Sequence, residues 1–357
     1  MRKCLVPALI FAMFITVQLQ SQEFKVSAYI DSYIATDNDY SVALDNEMSQ
    51  RLFSVVNQRT GDFALNIAQI SAAMEGDDVR GIFTLQTGDL PMMAFGDAQY
   101  SMLQQAFAGY QLADGLWIDA GLFLTHIGGE ALLPKDNFLS SHSMVTYFEP
   151  FFHAGIRATY DINENVSAQL SILNGSNTQF VDNNKNKTLG WAFGYVADEE
   201  VFAISWAGTY GNEPTPAGNN ALMFHNLNVG TNAIDNVDLK LQIDFATLED
   251  AVTEDDGGFA AGSYMGISAQ ARVHINEKLN FSGRFSSFNN EDGILGGEVT
   301  GMEATAGIEY LPTENSYIRF EGRYIGLDDD YEWFIDDEDE QTSSRMGAAL
   351  NFGISLF

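Results

Sequence analysis

Apolar and polar side chains alternate with a period of two along most of this chain, and residues 121–160 show the pattern best. On one arm Leu116, Ile118, Ala120, Leu122 and Leu124 alternate with Trp117, Asp119, Gly121, Phe123 and Thr125. On the other, Phe152, Ala154, Ile156, Ala158 and Tyr160 alternate with His153, Gly155, Arg157 and Thr159. A strand points successive side chains to opposite faces, so each arm has one apolar face and one polar or small face. In a soluble sandwich the polar face meets solvent. In a transmembrane barrel the apolar face meets lipid and the polar face a water-filled interior.

The punctuation between strands favours the barrel. Short, turn-rich breaks fall at residues 75–78, 113–115, 163–165, 198–200, 235–236, 276–278 and 312–315. Longer polar connections fall between them, including 37–61, 128–150, 176–187, 211–219, 249–262 and 327–342. Short turns at one end and long loops at the other are the asymmetry of an outer-membrane barrel. Fifteen strands are plain. A weaker one over 221–232, where Met223, Leu227 and Val229 oppose Phe224, Asn226 and Asn228, completes an even set. The predicted fold is all-β: an antiparallel, up-and-down transmembrane barrel of about sixteen strands, with fourteen as the smaller alternative.

The N-terminus sets the compartment. Arg2 and Lys3 precede an apolar run over 4–17 and a polar patch, which is the layout of a secretory signal peptide. Residues 1–21 are expected to leave, and 22–357 to form a single barrel. The lone cysteine, Cys4, leaves with the leader, so disulfides and thiolate metal sites are excluded from the mature chain. No later stretch is long and apolar enough for a helical span. The 32 Gly, 26 Phe and 14 Tyr against 7 Pro suit curved strands and aromatic girdles. A net charge of −32 argues against nucleic-acid binding, which needs a basic footprint.

Sorting charges by face is more informative than summing them. Arg80, Arg157, Arg272, Arg284, Arg319, Arg323 and Arg345 all fall on the polar face of strands, whereas Arg51 and Arg59 lie in a loop. Asp31, Asp119, Asp244, Glu303, Glu309 and Glu321 share that face. A charge turned to lipid at mid-membrane would cost about 2–4 kcal/mol, so these groups point inward. Opposed charges of this kind set ion preference in pores, or simply brace the wall. The long connection 128–150 is the candidate constriction, with Glu130, Asp136 or Glu149 facing wall arginines such as Arg157. Asp119, Arg272, Arg284, Arg319, Glu321 and Arg323 complete the expected pore lining. The acidic loop around Tyr331, Trp333 and Phe334 lacks calcium-loop spacing. The five histidines lack metal-ligand spacing, and no nucleophile elbow or phosphate loop is present. No cofactor, metal or enzymatic activity is expected.

The residues Gly121, Phe123, Thr125, Gly128, Glu130, Asn137, Pro150, Phe151, Gly155, Arg157 and Tyr160, with Leu173-Asn174-Gly175, carry a family resemblance. Here the chain resembles the OmpL-like β-barrel porins (porin-2 type) of Gram-negative outer membranes. The resemblance departs at Ser176, where an aromatic residue is expected. The terminal Phe357 suits insertion by the barrel assembly machinery, although the strand's apolar residues are in phase with Leu356 instead. The expected function is passive diffusion of small hydrophilic solutes across the outer membrane, in contact with lipid and open to homo-oligomer formation. Two rivals remain: a plugged barrel transporting a specific ligand, and a structural or adhesive surface barrel with acidic loops.

Overall fold

The computed structural model describes residues 23–39, 51–95, 101–176, 185–197, 201–215, 217–254, 257–328 and 330–356. Residues 1–21 and Phe357 lie outside this set, and with them the expected leader and the terminal aromatic. Strands β1 (Glu23–Asp37), β2 (Phe63–Glu75), β3 (Val79–Thr87), β4 (Leu103–Ala113) and β5 (Leu116–Leu124) are followed by β6 (Phe152–Asp161), β7 (Val166–Leu173) and β8 (Thr188–Val196). Then come β9 (Phe202–Thr215), β10 (Gly218–Ile234), β11 (Val237–Thr253), β12 (Phe259–Asn276) and β13 (Leu279–Asn290). The series closes with β14 (Val299–Thr313), β15 (Ser316–Leu327), a two-residue hairpin β16 (Phe334–Ile335) and β17 (Gln341–Thr342), and β18 (Ser344–Leu356).

Sixteen of these strands form one closed antiparallel barrel, each paired with its sequence neighbours, and β18 seals it against β1. Closure satisfies every edge, the condition for crossing lipid with strands. The weak strand of the sequence is β10, held on both sides by β9 and β11. Outward positions are apolar and exposed, among them Ile156, Leu170, Phe245 and Phe320. Phe24, Tyr110, Tyr160, Tyr195 and Tyr310 crowd the turn end of the outer wall, as an interfacial girdle requires.

Two connections differ from expectation. The 211–219 loop is a tight hairpin in which Thr215 pairs with Gly218. In place of the 249–262 loop, β11 and β12 run on to Thr253 and from Phe259. Their acidic and glycine residues read as loop, but the strands continue beyond the apolar band, where both faces meet water. Conversely, a short helix α1 (Asp89–Phe95) sits between β3 and β4, where no element was expected.

Candidate constriction inside the barrel

The β5–β6 connection, here called L3, turns into the barrel. It carries a 3₁₀ turn (Pro134–Asp136) and a helical turn α2 (Met144–Tyr147) capped by Ser143, whose side chain accepts from Thr146 N. Gly128 makes the inward bend at φ +115°. A β-carbon there would stand 2.7 Å from a Glu149 carboxylate oxygen, so the position demands glycine. Asn137 ties the loop shut: its Nδ2 donates to Ala131 O and its Oδ1 accepts from Ala131 N, both at 2.7 Å. His142 Nε2 also meets Ala131 O at 2.9 Å. The segment between is thus an Ω-type loop whose ends already touch. At the loop's start, Thr125 Oγ1 accepts from Ile127 N and lies 3.0 Å from His153 Nε2. At its end, Pro150 is buried. Gly121 (φ +140°) and Gly155 stand where a β-carbon would strike the neighbouring strand's backbone.

L3 hangs on one wall, β10 to β15. Gly128 N donates to Asn226 Oδ1 and Gly129 N to Gln242 Oε1, each at 3.1 Å. Glu321 accepts from Ser140 N and from Ser141 N, and Met144 N donates to Glu303 Oε2 at 2.8 Å. Arginines hold the carbonyls: Arg319 reaches Pro134 O at 2.7 Å, Arg272 reaches Asn137 O at 2.9 Å, and Arg284 reaches Ser141 O and His142 O. Glu303 binds Arg284 and Arg323, while Glu309 binds Arg319 at 2.5 Å and Arg272 at 3.7 Å.

The predicted charges therefore divide. Glu130 faces Arg284 at 2.8 Å rather than Arg157, and Ser143 N donates to it. Burial opposes its charge, but Arg284 and His142 outweigh that and hold its carboxyl below the usual range. Arg157 instead joins Arg80 on Asp119. Glu149 accepts from Asn226 and Gln242 in a fully buried pair with Asp244, and burial with Asp244's charge raises its carboxyl well above the usual range. Asp136, at the L3 tip beside Lys135, is solvent-exposed.

Sequence reasoning missed three parts of this interior. Residues 51–59 of the β1–β2 connection, L1, also fold inward: Arg345 donates to Leu52 O, Arg323 and Arg345 to Ser54 Oγ, and Asn351 to Asn57 Oδ1. Second, the inward positions turn apolar near the loop end. There Phe224, Tyr264, Phe288 and Ile325 pack with Phe53 of L1, Met144 of L3 and Phe334 of β16. Third, the pivotal Glu303 was legible only as one more inward carboxylate. Around the barrel, every strand places at least one inward polar or charged side chain at no more than 4% exposure, from Asp31 through Thr84, Gln104, His153, Ser171 and Thr209 to Asn351. On the turn side of this belt lies a cavity of about 1130 Å³, reached by Lys135, Asp136, Arg272, His274, Glu309 and Arg319.

The family described as putative beta-barrel porin-2, OmpL-like, matches residues 23–354. The chain belongs to that family. It is an outer-membrane β-barrel of the porin class. No curated protein sequence matches it. Among solved structures it is similar to an anion-selective porin from Comamonas acidovorans, with TM-score 0.65 at 9% identity, covering 94% of this chain and 100% of that one. The outer membrane channel DcaP of Acinetobacter baumannii gives TM-score 0.63 at 9% identity, covering 94% and 98%. OmpT of Vibrio cholerae in its trimer form gives 0.57 at 8%, covering 94% and 100%. These similarities concern the fold.

Proposed function

We propose that this porin lets small hydrophilic solutes pass passively, through a lumen that L3 and L1 hold nearly shut. The carrying observation is L3 itself: it enters the lumen and is anchored by buried charges to β10–β15, above a wet vestibule at the turn end. Barrels of sixteen strands are wide enough for an aqueous channel, so the loops set the passage. Solute moves down its gradient, and the protein supplies the width and the field. Export by the leader, insertion by the barrel assembly machinery and the turn end facing the periplasm belong to the same reading. The trimer form of the Vibrio OmpT supports assembly with further copies. Of the expected pore-lining residues, Arg272 and Asp136 line the cavity, Arg157 stays partly exposed, and Asp119 is buried against it. Glu130, Glu149, Arg284, Arg319, Glu321 and, more loosely, Arg323 act by fixing the loops.

The water-shielded belt favours one second reading, a plugged barrel that carries a specific ligand. Liposome swelling with sugars of increasing size separates the two. Diffusion predicts swelling that declines smoothly with solute size and does not saturate with concentration. A saturable response to one solute, with none to its neighbours in size, overturns it.

A further inference from the structure

The wall that L3 leaves free carries a second charged cluster, with a different balance. Asp119 on β5 is fully buried, and two guanidinium groups share it. Arg80 on β3 binds it bidentately, Nε to Oδ1 at 2.8 Å and Nη2 to Oδ2 at 2.7 Å, and Nη2 also reaches Thr159 Oγ1 at 2.9 Å. Arg157 on β6 uses only Nε, at 2.8 Å from Oδ2. Among the described residues its Nη1 and Nη2 make no hydrogen bond. The Arg157 side chain stays 18% exposed and that of Arg80 23%, while Asp119 has no exposure, and neither Arg157 Nη atom is a buried polar atom without a partner. Aromatic rings set the plane of each fork. The Arg157 guanidinium carbon lies 4.8 and 4.5 Å from the ring centres of Phe107 and Phe123, and that of Arg80 lies 4.6 Å from Trp117.

Two cations on one carboxylate leave one positive charge, and Arg157 presents it as two parallel donors in a fixed orientation. That geometry matches a planar or tetrahedral oxyanion. The inward arginines of the opposite wall are not equivalent, since Arg284 and Arg319 are spent on Glu303, Glu130, Glu309 and L3 carbonyls with almost no exposure. The acidic turns, such as Asp77-Asp78 and Asp114, stand at the strand ends, where salt screens them within about 8 Å. We propose that Arg157 and Arg80 form a binding site for small oxyanions, carboxylate or phosphate, so that the lumen beside them prefers anions although the whole chain is strongly acidic. This rests on the channel reading only for its effect on permeation. Binding is testable by itself.

Inorganic phosphate and acetate are titrated, at constant chloride, into the full-length barrel in detergent while tryptophan fluorescence is followed. The wild type should give a saturable change that Trp117→Phe abolishes. Arg157→Gln should weaken it at least tenfold. Arg157→Lys keeps the charge on Asp119 but loses the fork, and should fall between. Equal titrations in the wild type and Arg157→Gln, or the same change with sodium chloride alone, overturn the site. In planar bilayers the reversal potential in a potassium chloride gradient should indicate anion preference and move toward cations in Arg157→Glu. Cation preference in the wild type overturns the selectivity claim. Anion binding without any conductance overturns the channel reading and leaves the site standing, whereas conductance without anion binding does the reverse.

Discussion

Glu303 organises more of the lumen than one charge suggests. It holds Arg284 and Arg323 and accepts the amide of Met144, while fully buried. Removing one member of a buried ionic cluster leaves its partners uncompensated, at a cost of about 3–5 kcal/mol. Glu303→Ala should therefore lower unfolding stability by about that much. Glu130→Gln should cost less, because Arg284 retains Glu303 and the L3 carbonyls. Chemical unfolding of the two variants checks the order. Glu149 gives the opposite sign. Its carboxyl is raised by burial and by Asp244, so the folded state binds a proton that the unfolded chain releases near the ordinary value of 4.5. Stability falls as pH rises from there to the raised value, by about 1.4 kcal/mol per pH unit. Glu149→Gln should flatten that slope and be the more stable protein at neutral pH. A steeper slope in the variant would contradict the assignment. Glu130 runs the other way: its contribution is present above pH 4.5 and is lost as pH falls toward its depressed value.

At the scale of the element, the strands were legible because alternation survives even where hydropathy is weak, as β10 shows. The seven arginines were sorted correctly to the inner face by the cost of turning a charge to lipid. Three things were hidden. Polar residues beyond the membrane band read as loops although β11 and β12 continue there, because alternation reports a lipid–water contrast and vanishes when both faces are wet. The apolar inner patch around Phe288 and Tyr264 breaks the rule of a polar interior, and it makes sense only once L1 and L3 are seen to fill the mouth. The partner of each charge depends on which wall L3 leans upon, and spacing carries no information about that. The glycine bend at Gly128 and the Asn137 tie were visible as motif residues, but their purpose was not. If L3 is held as described, hydrogen exchange at Ser140, Ser141 and Met144 should be as slow as in the strands. Glu321→Ala should accelerate Ser140 and Ser141 selectively, by tenfold or more for the loss of about 1.5–3 kcal/mol of charge-assisted bonding. Fast exchange in the wild type would show that L3 is not anchored.

For the whole molecule, the closed barrel supplies a wall that could hold a wide channel, and the loops determine how much of it remains open. One buried, charge-rich wall spends its ionic groups on anchoring L3, while the opposite wall keeps Arg80 and Arg157 partly exposed. The net charge of the chain is therefore a poor guide to what a solute inside would meet. The most direct test shortens L3 and keeps the barrel. Ala131 and His142 lie within reach of a side chain, His142 Nε2 to Ala131 O at 2.9 Å, so residues 132–141 can be replaced by a short glycine linker. Unitary conductance in a planar bilayer should then rise severalfold over the wild type, with fewer closures. Equal conductance in the two proteins would contradict L3 as the element that closes the lumen.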